Sequence, residues 1–337
     1  MPNQVTLKPS NHVFTTRAGE TILDGALREG FVISYGCRNG ACGTCKGKLL
    51  SGEVDYGSYQ DSALSAKEKS QGYALFCRAQ PLGDVVIECR EVGATKDIQI
   101  RTLPARVQKM QRLASDIMLI ELKLPAAERL QFLAGQYIDI LLKDGSRRSF
   151  SMANAPHNDA ALQLHMRNYG GPFSTHVFST MKERDILRFE GPLGTFYMRD
   201  NTEKPAILLA SGTGFAPVKA MLEHAFHSHC TRPLILYWGA RKRADLYMHE
   251  LVEQWTREHH HFKYVPVLSE PLPEDEWQGR TGFVHQAVMD DIADMSGCQV
   301  YACGVPAMVE SAHREFVAQC GLPETEFFSD AFTPAAP

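Results

Sequence analysis

The sequence predicts a multidomain protein that combines an α+β block, an antiparallel barrel and an α/β block with a parallel sheet. The length of the chain, its composition and the spacing of its strand-like runs predict this class. A chain of 337 residues suits two or three domains of about 100–150 residues each. With 44% hydrophobic and 22% charged residues, the composition is that of a globular protein with a large core.

The first predicted domain, 1–93, is rich in short strands. The runs 5–7 and 13–16 alternate like strands, and 84–89 closes the domain as another strand. Thr21 has the character of an N-cap for a short helix that Gly30 ends. The small and polar stretch 91–101 predicts a linker.

The second and third predicted domains differ in how their strand-like runs are spaced. Residues 102–200 carry strand-like runs at roughly ten-residue spacing, which predicts an antiparallel barrel. Its runs are 117–124, 137–142, 149–152 and 162–167. In 201–337, apolar strands end at a glycine and are followed by helical patterns, which predicts βαβ units on a parallel sheet. We expect the tail, 333–337, to be loose.

The charge and the hydrophobic runs exclude several function classes. The net charge of −4 gives no basic footprint for nucleic acid or for an anionic membrane. The longest apolar runs, such as 206–210 and 234–238, are too short to cross a bilayer core of about 30 Å. The first residues lack a basic stretch followed by an apolar one, so we expect no export signal. We therefore expect a cytoplasmic enzyme that binds neither nucleic acid nor membrane.

Four of the nine cysteines are spaced like metal ligands. Cys37, Cys42 and Cys45 form C-x4-C-x2-C, and Cys77 follows at a distance, which is the spacing of plant-type [2Fe–2S] sites. The glycines of this loop permit tight turns around a cluster. Structural zinc is the alternative, but zinc knuckles usually come as two cysteine pairs, whereas here the last cysteine stands alone. The pattern favours the iron–sulfur cluster.

The barrel region carries a second candidate site. In Arg148-Ser-Phe150-Ser151, an arginine, an aromatic ring and a hydroxyl could serve a diphosphate, a flat ring and a polar ring atom. The tetrapeptide taken alone is equally well an ordinary barrel strand. Ser174 and Thr175 follow two glycines at the start of a predicted helix, where N–H groups and hydroxyls suit an anion.

A third candidate site is the glycine turn, which we define as residues 212–217. Gly212, Thr213, Gly214 and Pro217 follow an apolar strand and open a helix, so that the backbone could approach a pyrophosphate. The turn is not G-x-G-x-x-G, and a purely structural turn is the alternative.

These motifs together resemble known families. Residues 1–93 resemble a plant-type ferredoxin, which implies a β-grasp fold. Ten Lys/Arg and ten Asp/Glu make the domain neutral, unlike the acidic free ferredoxins. This departure fits a ferredoxin that is covalently attached to its donor, because tethering replaces long-range steering.

The barrel resembles that of the ferredoxin–NADP reductase superfamily, in which R-x-[YF]-S binds FAD. The resemblance implies that Arg148 holds the FAD pyrophosphate together with Ser174 and Thr175. It also implies that Phe150 lies against the isoalloxazine and that Ser151 reaches its N5 region. FMN is the alternative flavin, and the helix start at Ser174 favours the diphosphate of FAD.

The superfamily's nucleotide half carries a G-T-G-x-A-P pattern and a C-G-x-P pattern. The resemblance therefore assigns Gly212 and its neighbours in the turn to NAD(P)H, and places the Cys303 sulfur, followed by Gly304, beside the nicotinamide. Phe332 near the C-terminus would lie at the flavin face. Its neighbour Asp330 stands where Glu is commoner, so its role stays open.

The domain order resembles two groups of iron–sulfur flavoprotein reductases. These are the CDP-6-deoxy-Δ3,4-glucoseen reductases and the reductase components of ring-hydroxylating and related oxygenases. Either resemblance implies that electrons pass from NAD(P)H through FAD and the [2Fe–2S] cluster to a partner protein. The first predicts a pyridoxamine-phosphate-dependent dehydrase as the partner, and the second an oxygenase component. An alternative hypothesis is a redox-sensing protein that uses the cluster as a signal. The presence of two further predicted cofactor sites disfavours it.

Two other patterns, a histidine cluster and a basic run, have simple structural interpretations. His224, His227 and His229 lie beside Cys230 but do not share one helix face, so we expect a solvated helix end rather than a metal site. The basic run 241–243 follows a predicted parallel strand and could bind a 2′-phosphate or be a solvated turn. NADH and NADPH therefore both remain open as the electron donor.

Overall fold

The computed structural model describes residues 2–93 and 98–333, and it divides into two compact units. One unit contains residues 1–99 and 330–337, and the other contains residues 100–329. The predicted linker 91–101 falls partly on residues 94–97, and the predicted loose tail falls mostly on residues 334–337. Both stretches lie outside the described residues.

The N-terminal unit is built on a mixed five-stranded sheet with a short helix, which is the predicted β-grasp fold. Its elements are β1 (Asn3–Lys8), β2 (Val13–Thr16), α1 (Ile22–Arg28), β3 (Lys46–Ser51), β4 (Val54–Asp55), α2 (Ala66–Ser70), β5 (Tyr73–Leu75), β6 (Gln80–Pro81) and β7 (Val85–Glu88). The sheet order is β2-β1-β7-β3-β5, with β1 parallel to β7 and the other neighbours antiparallel. Thr21 caps α1, as predicted, by accepting a hydrogen bond from the amide of Asp24 at 3.1 Å.

The second unit begins with a six-stranded antiparallel barrel, which confirms the predicted architecture. Its elements are β8 (Arg101–Ala114), β9 (Ile117–Lys123), β10 (Tyr137–Leu141), β11 (Arg147–Ser151), β12 (Leu162–Arg167), α3 (Pro172–Ser179) and β13 (Ile186–Leu193). The order β11-β10-β13-β8-β9-β12 is closed by a bridge between Met152 and Leu164. Phe173 and Val177 of α3 complete the barrel core.

The parallel sheet follows in the same unit. Its elements are β14 (Ala206–Ser211), α4 (Phe215–His227), β15 (Leu234–Ala240), α5 (His249–Glu258), β16 (Phe262–Leu268), β17 (Arg280–Thr281), α6 (Val284–Asp291), β18 (Gln299–Gly304), α7 (Pro306–Gln319) and β19 (Phe327–Ala331). The order is β17-β16-β15-β14-β18-β19. Strands β14, β15, β16, β17 and β18 pair in parallel. The predicted α/β class is therefore confirmed. Parallel neighbours bring the ends of β14 and β18, with their glycines, to one edge of the sheet.

Across the described residues, no helix is both long and apolar enough to span a bilayer.

Candidate functional site

The four predicted ligand cysteines come together as two pairs. The Cys37 amide donates to the Cys42 sulfur at 3.4 Å, and these two thiols also hydrogen-bond with each other. The Cys45 thiol hydrogen-bonds with Cys77, and both of these residues are about 4% exposed. Among residues 2–93 and 98–333, no three His, Cys, Asp or Glu side chains are grouped to hold a single metal ion. The pairing fits a two-iron cluster, in which each iron takes two of the four cysteines.

Backbone groups of the loop point at these sulfurs. The Ala41 amide donates to the Cys37 sulfur at 3.4 Å. The Cys42 thiol and such amide donors lower the pKa of Cys37 to about 5, although burial opposes the shift. The pattern suits thiolate ligands, because N–H donors stabilise charge on sulfur. Gly40 has a φ of +77°, and a Cβ there would lie 2.9 Å from the Arg78 side chain. The loop therefore needs glycine at this position for both conformation and space.

The end of β11 and the start of α3 meet through two aromatic rings. Phe150 is half-buried at the barrel core, and its ring lies 5.8 Å from that of Phe173 in α3. Arg148 lies on the same face of β11 as Phe150, because side chains alternate along a strand. Its guanidinium donates to the carbonyl of Arg147 and forms no ion pair within the described parts of the chain.

The N-terminus of α3 can accept an anion. Gly171 caps the helix without a side-chain hydrogen bond, and Pro172 occupies the first turn. The Ser174 hydroxyl donates to the Gly171 carbonyl at 3.0 Å, so both Ser174 and Thr175 lie in that turn. Ser151 differs from Arg148 and Phe150: it is 7% exposed and leaves the opposite face of β11.

The glycine turn packs directly against the end of β18. Gly212–Gly214 is a 3-10 turn that continues into α4. A Cβ at Gly214 would lie 2.5 Å from the carbonyl carbon of Cys303 and 2.8 Å from Cα of Gly304. Gly304 has a φ of +133°, and the Val305 amide donates to the Ser211 hydroxyl at 2.9 Å. The two strand ends therefore form one backbone-lined surface, which fits a dinucleotide.

Cys303 is fully buried beneath this surface, at 0% exposure. A nicotinamide ring could touch its sulfur only after neighbouring groups move. Phe332 directly follows β19 and is half-buried. Burial raises the pKa of the Asp330 carboxyl to about 7.

The histidine cluster and the basic run both contact neighbouring side chains or backbone groups. The ring of His157 stacks on that of His227 at 3.7 Å. Within the basic run, Arg243 donates to the carbonyl of Asp275, and Arg241 lies 3.9 Å from the carboxylate of Asp245.

Sequence reasoning missed a polar contact between the barrel and the parallel sheet. On β12, the Arg167 guanidinium lies 3.0 Å from Asp116 and 3.3 Å from Asp245, and His165 lies 3.0 Å from the Tyr247 hydroxyl. The only sequence signal was a histidine and an arginine alternating with apolar residues in one strand.

Comparisons with known proteins agree with this arrangement. Three family models match: the 2Fe-2S iron-sulfur cluster binding domain at residues 5–82, the oxidoreductase FAD-binding domain at 104–197 and the oxidoreductase NAD-binding domain at 208–314. These matches confirm the predicted cofactors, namely a [2Fe–2S] cluster, FAD and NAD(P)H.

Two relatives and one solved structure match this chain over nearly its whole length. The CDP-6-deoxy-L-threo-D-glycero-4-hexulose-3-dehydrase reductase of Yersinia pestis is 40% identical over 336 residues, which cover 99% of this chain and 100% of the relative. The phenol hydroxylase P5 protein of Acinetobacter pittii is 35% identical, with coverage of 100% and 96%. The crystal structure of the Amycolatopsis cytochrome P450 reductase GcoB matches with a TM-score of 0.82 at 34% identity, with coverage of 99% and 100%.

Proposed function

The chain belongs to the family of reductases that join a 2Fe-2S ferredoxin domain to FAD- and NAD-binding domains, and we propose that its electron acceptor is a pyridoxamine-phosphate-dependent dehydrase of deoxysugar synthesis. The reductase activity itself follows from the family: electrons pass from NAD(P)H through FAD and the [2Fe–2S] cluster to a partner. FAD supplies the conversion between the two-electron chemistry of nicotinamide and the one-electron chemistry of the cluster. The protein supplies binding and alignment.

In this proposal the barrel residues hold FAD. Arg148, Ser174 and Thr175 bind the pyrophosphate, supported by the uncapped first turn of α3 and by the Arg148 guanidinium, which donates to the carbonyl of Arg147. Phe150 supports the isoalloxazine, and its contact with α3 ties the ring site to the phosphate site. Ser151 approaches from the other face of the strand end.

The glycine turn and Gly304 bind the NAD(P)H pyrophosphate across their backbone-lined surface. Cys303 stands below that surface as a group that sets the position of the nicotinamide after a local rearrangement. By resemblance to the superfamily, we also assign Phe332 to flavin binding. Cys37 with Cys42, and Cys45 with Cys77, each ligate one iron.

We assign these roles to three modules with the boundaries 1–93, 102–200 and 201–337. The tethered, charge-neutral ferredoxin module needs no long-range attraction to its own donor. We place the protein in the cytoplasm, where NAD(P)H is available to it.

One observation carries the choice of acceptor: the 40% identity to the dehydrase reductase extends over the whole of both chains. The second candidate is an oxygenase or hydroxylase component, favoured by the 35% identity to the phenol hydroxylase protein and by the fold match to GcoB.

The test is reconstitution with each class of acceptor. The holoprotein and NADH or NADPH are mixed with a purified CDP-4-keto-6-deoxyhexulose 3-dehydrase and its substrate, and separately with a phenol hydroxylase oxygenase component and phenol. We expect NAD(P)H oxidation coupled to loss of the C3 oxygen in the first mixture only. Coupled turnover in the second mixture alone would reverse the assignment.

A further inference from the structure

The barrel and the parallel sheet meet through two matched contacts. His165 and Arg167, two residues apart on β12, leave the same face of the strand. Tyr247 and Asp245, also two residues apart, lie just after β15. Nδ1 of His165 is 3.0 Å from the hydroxyl of Tyr247, and Arg167 is 3.3 Å from Asp245. The two-residue spacing on β12 matches the two-residue spacing in the segment after β15. The two contacts together therefore fix how these segments are aligned.

Tyr247 transmits its position to the glycine turn through two aromatic rings. It packs edge-on against Trp238 at 5.2 Å and against Phe215 at 6.1 Å. Trp238 stacks on Phe215 at 3.9 Å, and its indole N–H donates to the carbonyl of Gly212 at 3.2 Å. Phe215 is itself part of the turn. Tyr247 is therefore one ring away from the turn backbone.

His165 holds this tyrosine from a buried position. It is 5% exposed, and its Nε2 has no hydrogen-bond partner among the described residues. Burial and the nearby charge of Lys219 lower the pKa of His165 to about 3, so the ring is neutral at physiological pH. A neutral ring keeps the hydrogen bond to Tyr247 without bringing a charge into the interface.

We propose that His165 and Tyr247 are a positioning pair that aligns the nicotinamide-binding turn with the flavin barrel. The hydrogen bond fixes the tyrosine, and the Trp238–Phe215 stack passes its position to the turn. The inference rests on the proposed assignment of the glycine turn to NAD(P)H. A displacement of about 1 Å between reacting groups can lower the rate roughly 100-fold. A smaller displacement should therefore still change the rate measurably.

The main variant is Tyr247→Phe, which removes only the hydroxyl. The matched control is Tyr264→Phe, because the Tyr264 hydroxyl forms an equivalent bond of 3.1 Å to Nδ1 of His249, and the ring contact of Tyr264 is with that same histidine rather than with the glycine turn. Rapid mixing with NADH or NADPH gives the rate of flavin bleaching at saturation and the apparent Kd. We expect Tyr247→Phe to lower the rate about tenfold with less than a threefold change in Kd, and Tyr264→Phe to leave both unchanged.

A second pair of variants separates hydrogen bonding from packing. His165→Asn keeps an acceptor near the place of Nδ1 and should retain at least half of the wild-type rate. His165→Leu removes the acceptor and should match Tyr247→Phe, and the double variant His165→Leu/Tyr247→Phe should be no slower than either single variant. Additive losses, or equal losses in Tyr264→Phe, would overturn the proposal.

Hydrogen exchange supplies a readout that does not depend on turnover. In protein without nucleotide, amides of residues 206–218 should exchange faster in Tyr247→Phe than in Tyr264→Phe, because the turn is less restrained. Equal exchange would contradict the positioning role. In the wild type, added NAD⁺ or NADP⁺ should slow exchange in the same segment. Absence of protection by both nucleotides would refute the proposed nucleotide assignment, which is a separate result.

Discussion

Replacing Gly214 by alanine tests the packing of the glycine turn most sharply. The backbone at Gly214 has φ −58° and ψ −14°, which alanine adopts readily, so the substitution introduces no backbone strain. Crowding is the only structural cost. The new Cβ would lie 2.5 Å from the carbonyl carbon of Cys303 and nearer still to its oxygen. Ordinary carbon contacts are about 3.5–4.0 Å, so the two strand ends must separate by roughly 1 Å.

That displacement predicts both a rate effect and a stability effect. Separation of about 1 Å predicts flavin reduction slower by up to roughly 100-fold. Overpacking of this kind costs about 1–3 kcal/mol of the free energy of unfolding. In a unit of this size each kcal/mol lowers Tm by about 2–4 °C, so we expect a fall of about 2–12 °C.

The assay combines rapid mixing with a melting curve followed by flavin release. Gly297→Ala is the matched control, because a Cβ at Gly297 meets nothing within 4 Å. The control should keep the wild-type rate and Tm. If Gly214→Ala behaves like Gly297→Ala, the turn and the end of β18 are not in contact.

Three further perturbations address single residues. Cys303→Ala should slow flavin bleaching while leaving the Kd for NAD(P)H nearly unchanged, as measured by rapid mixing; an unchanged rate in a stable variant would remove Cys303 from the site. Gly40→Ala should lower cluster content, measured as iron and acid-labile sulfide, whereas Gly19→Ala, with a similar φ but open space, should not. Because the folded-state pKa of His165 is depressed to about 3, the unfolded chain binds its proton first, and stability falls as pH drops below about 6.5. Between neutral pH and pH 5 this loss is about 2 kcal/mol, and His165→Asn should abolish that part of the pH dependence in flavin-release melts.

Local signals in the sequence were enough for several of the strands and for one helix. The strands that follow apolar runs, such as β14 and β18, and the helix capped by Thr21 are set by neighbouring residues, and the structure confirms them. The long strand β8 was not predicted, because its buried positions are outnumbered by polar ones.

Contacts between distant residues were beyond sequence reasoning. The hydrogen bond between His165 and Tyr247 joins residues that are 82 positions apart, and no local pattern encodes it. The burial of Cys303 is likewise a property of the packed sheet and turn. The C-G-x-P pattern locates the residue but not the depth at which its sulfur lies.

The order of electron flow is tested most directly by Cys45→Ser, with Cys89→Ser as the control. Cys89 lies in the same unit outside the two ligand pairs. Each holoprotein is mixed with NADH or NADPH, and flavin bleaching is measured alongside reduction of cytochrome c, a one-electron protein acceptor. We expect Cys45→Ser to bleach its flavin at the wild-type rate and to reduce cytochrome c at least tenfold more slowly, while Cys89→Ser keeps both activities. Unimpaired cytochrome c reduction in a Cys45→Ser protein that has lost its cluster, or loss of flavin bleaching in a folded, flavin-loaded variant, would contradict the account.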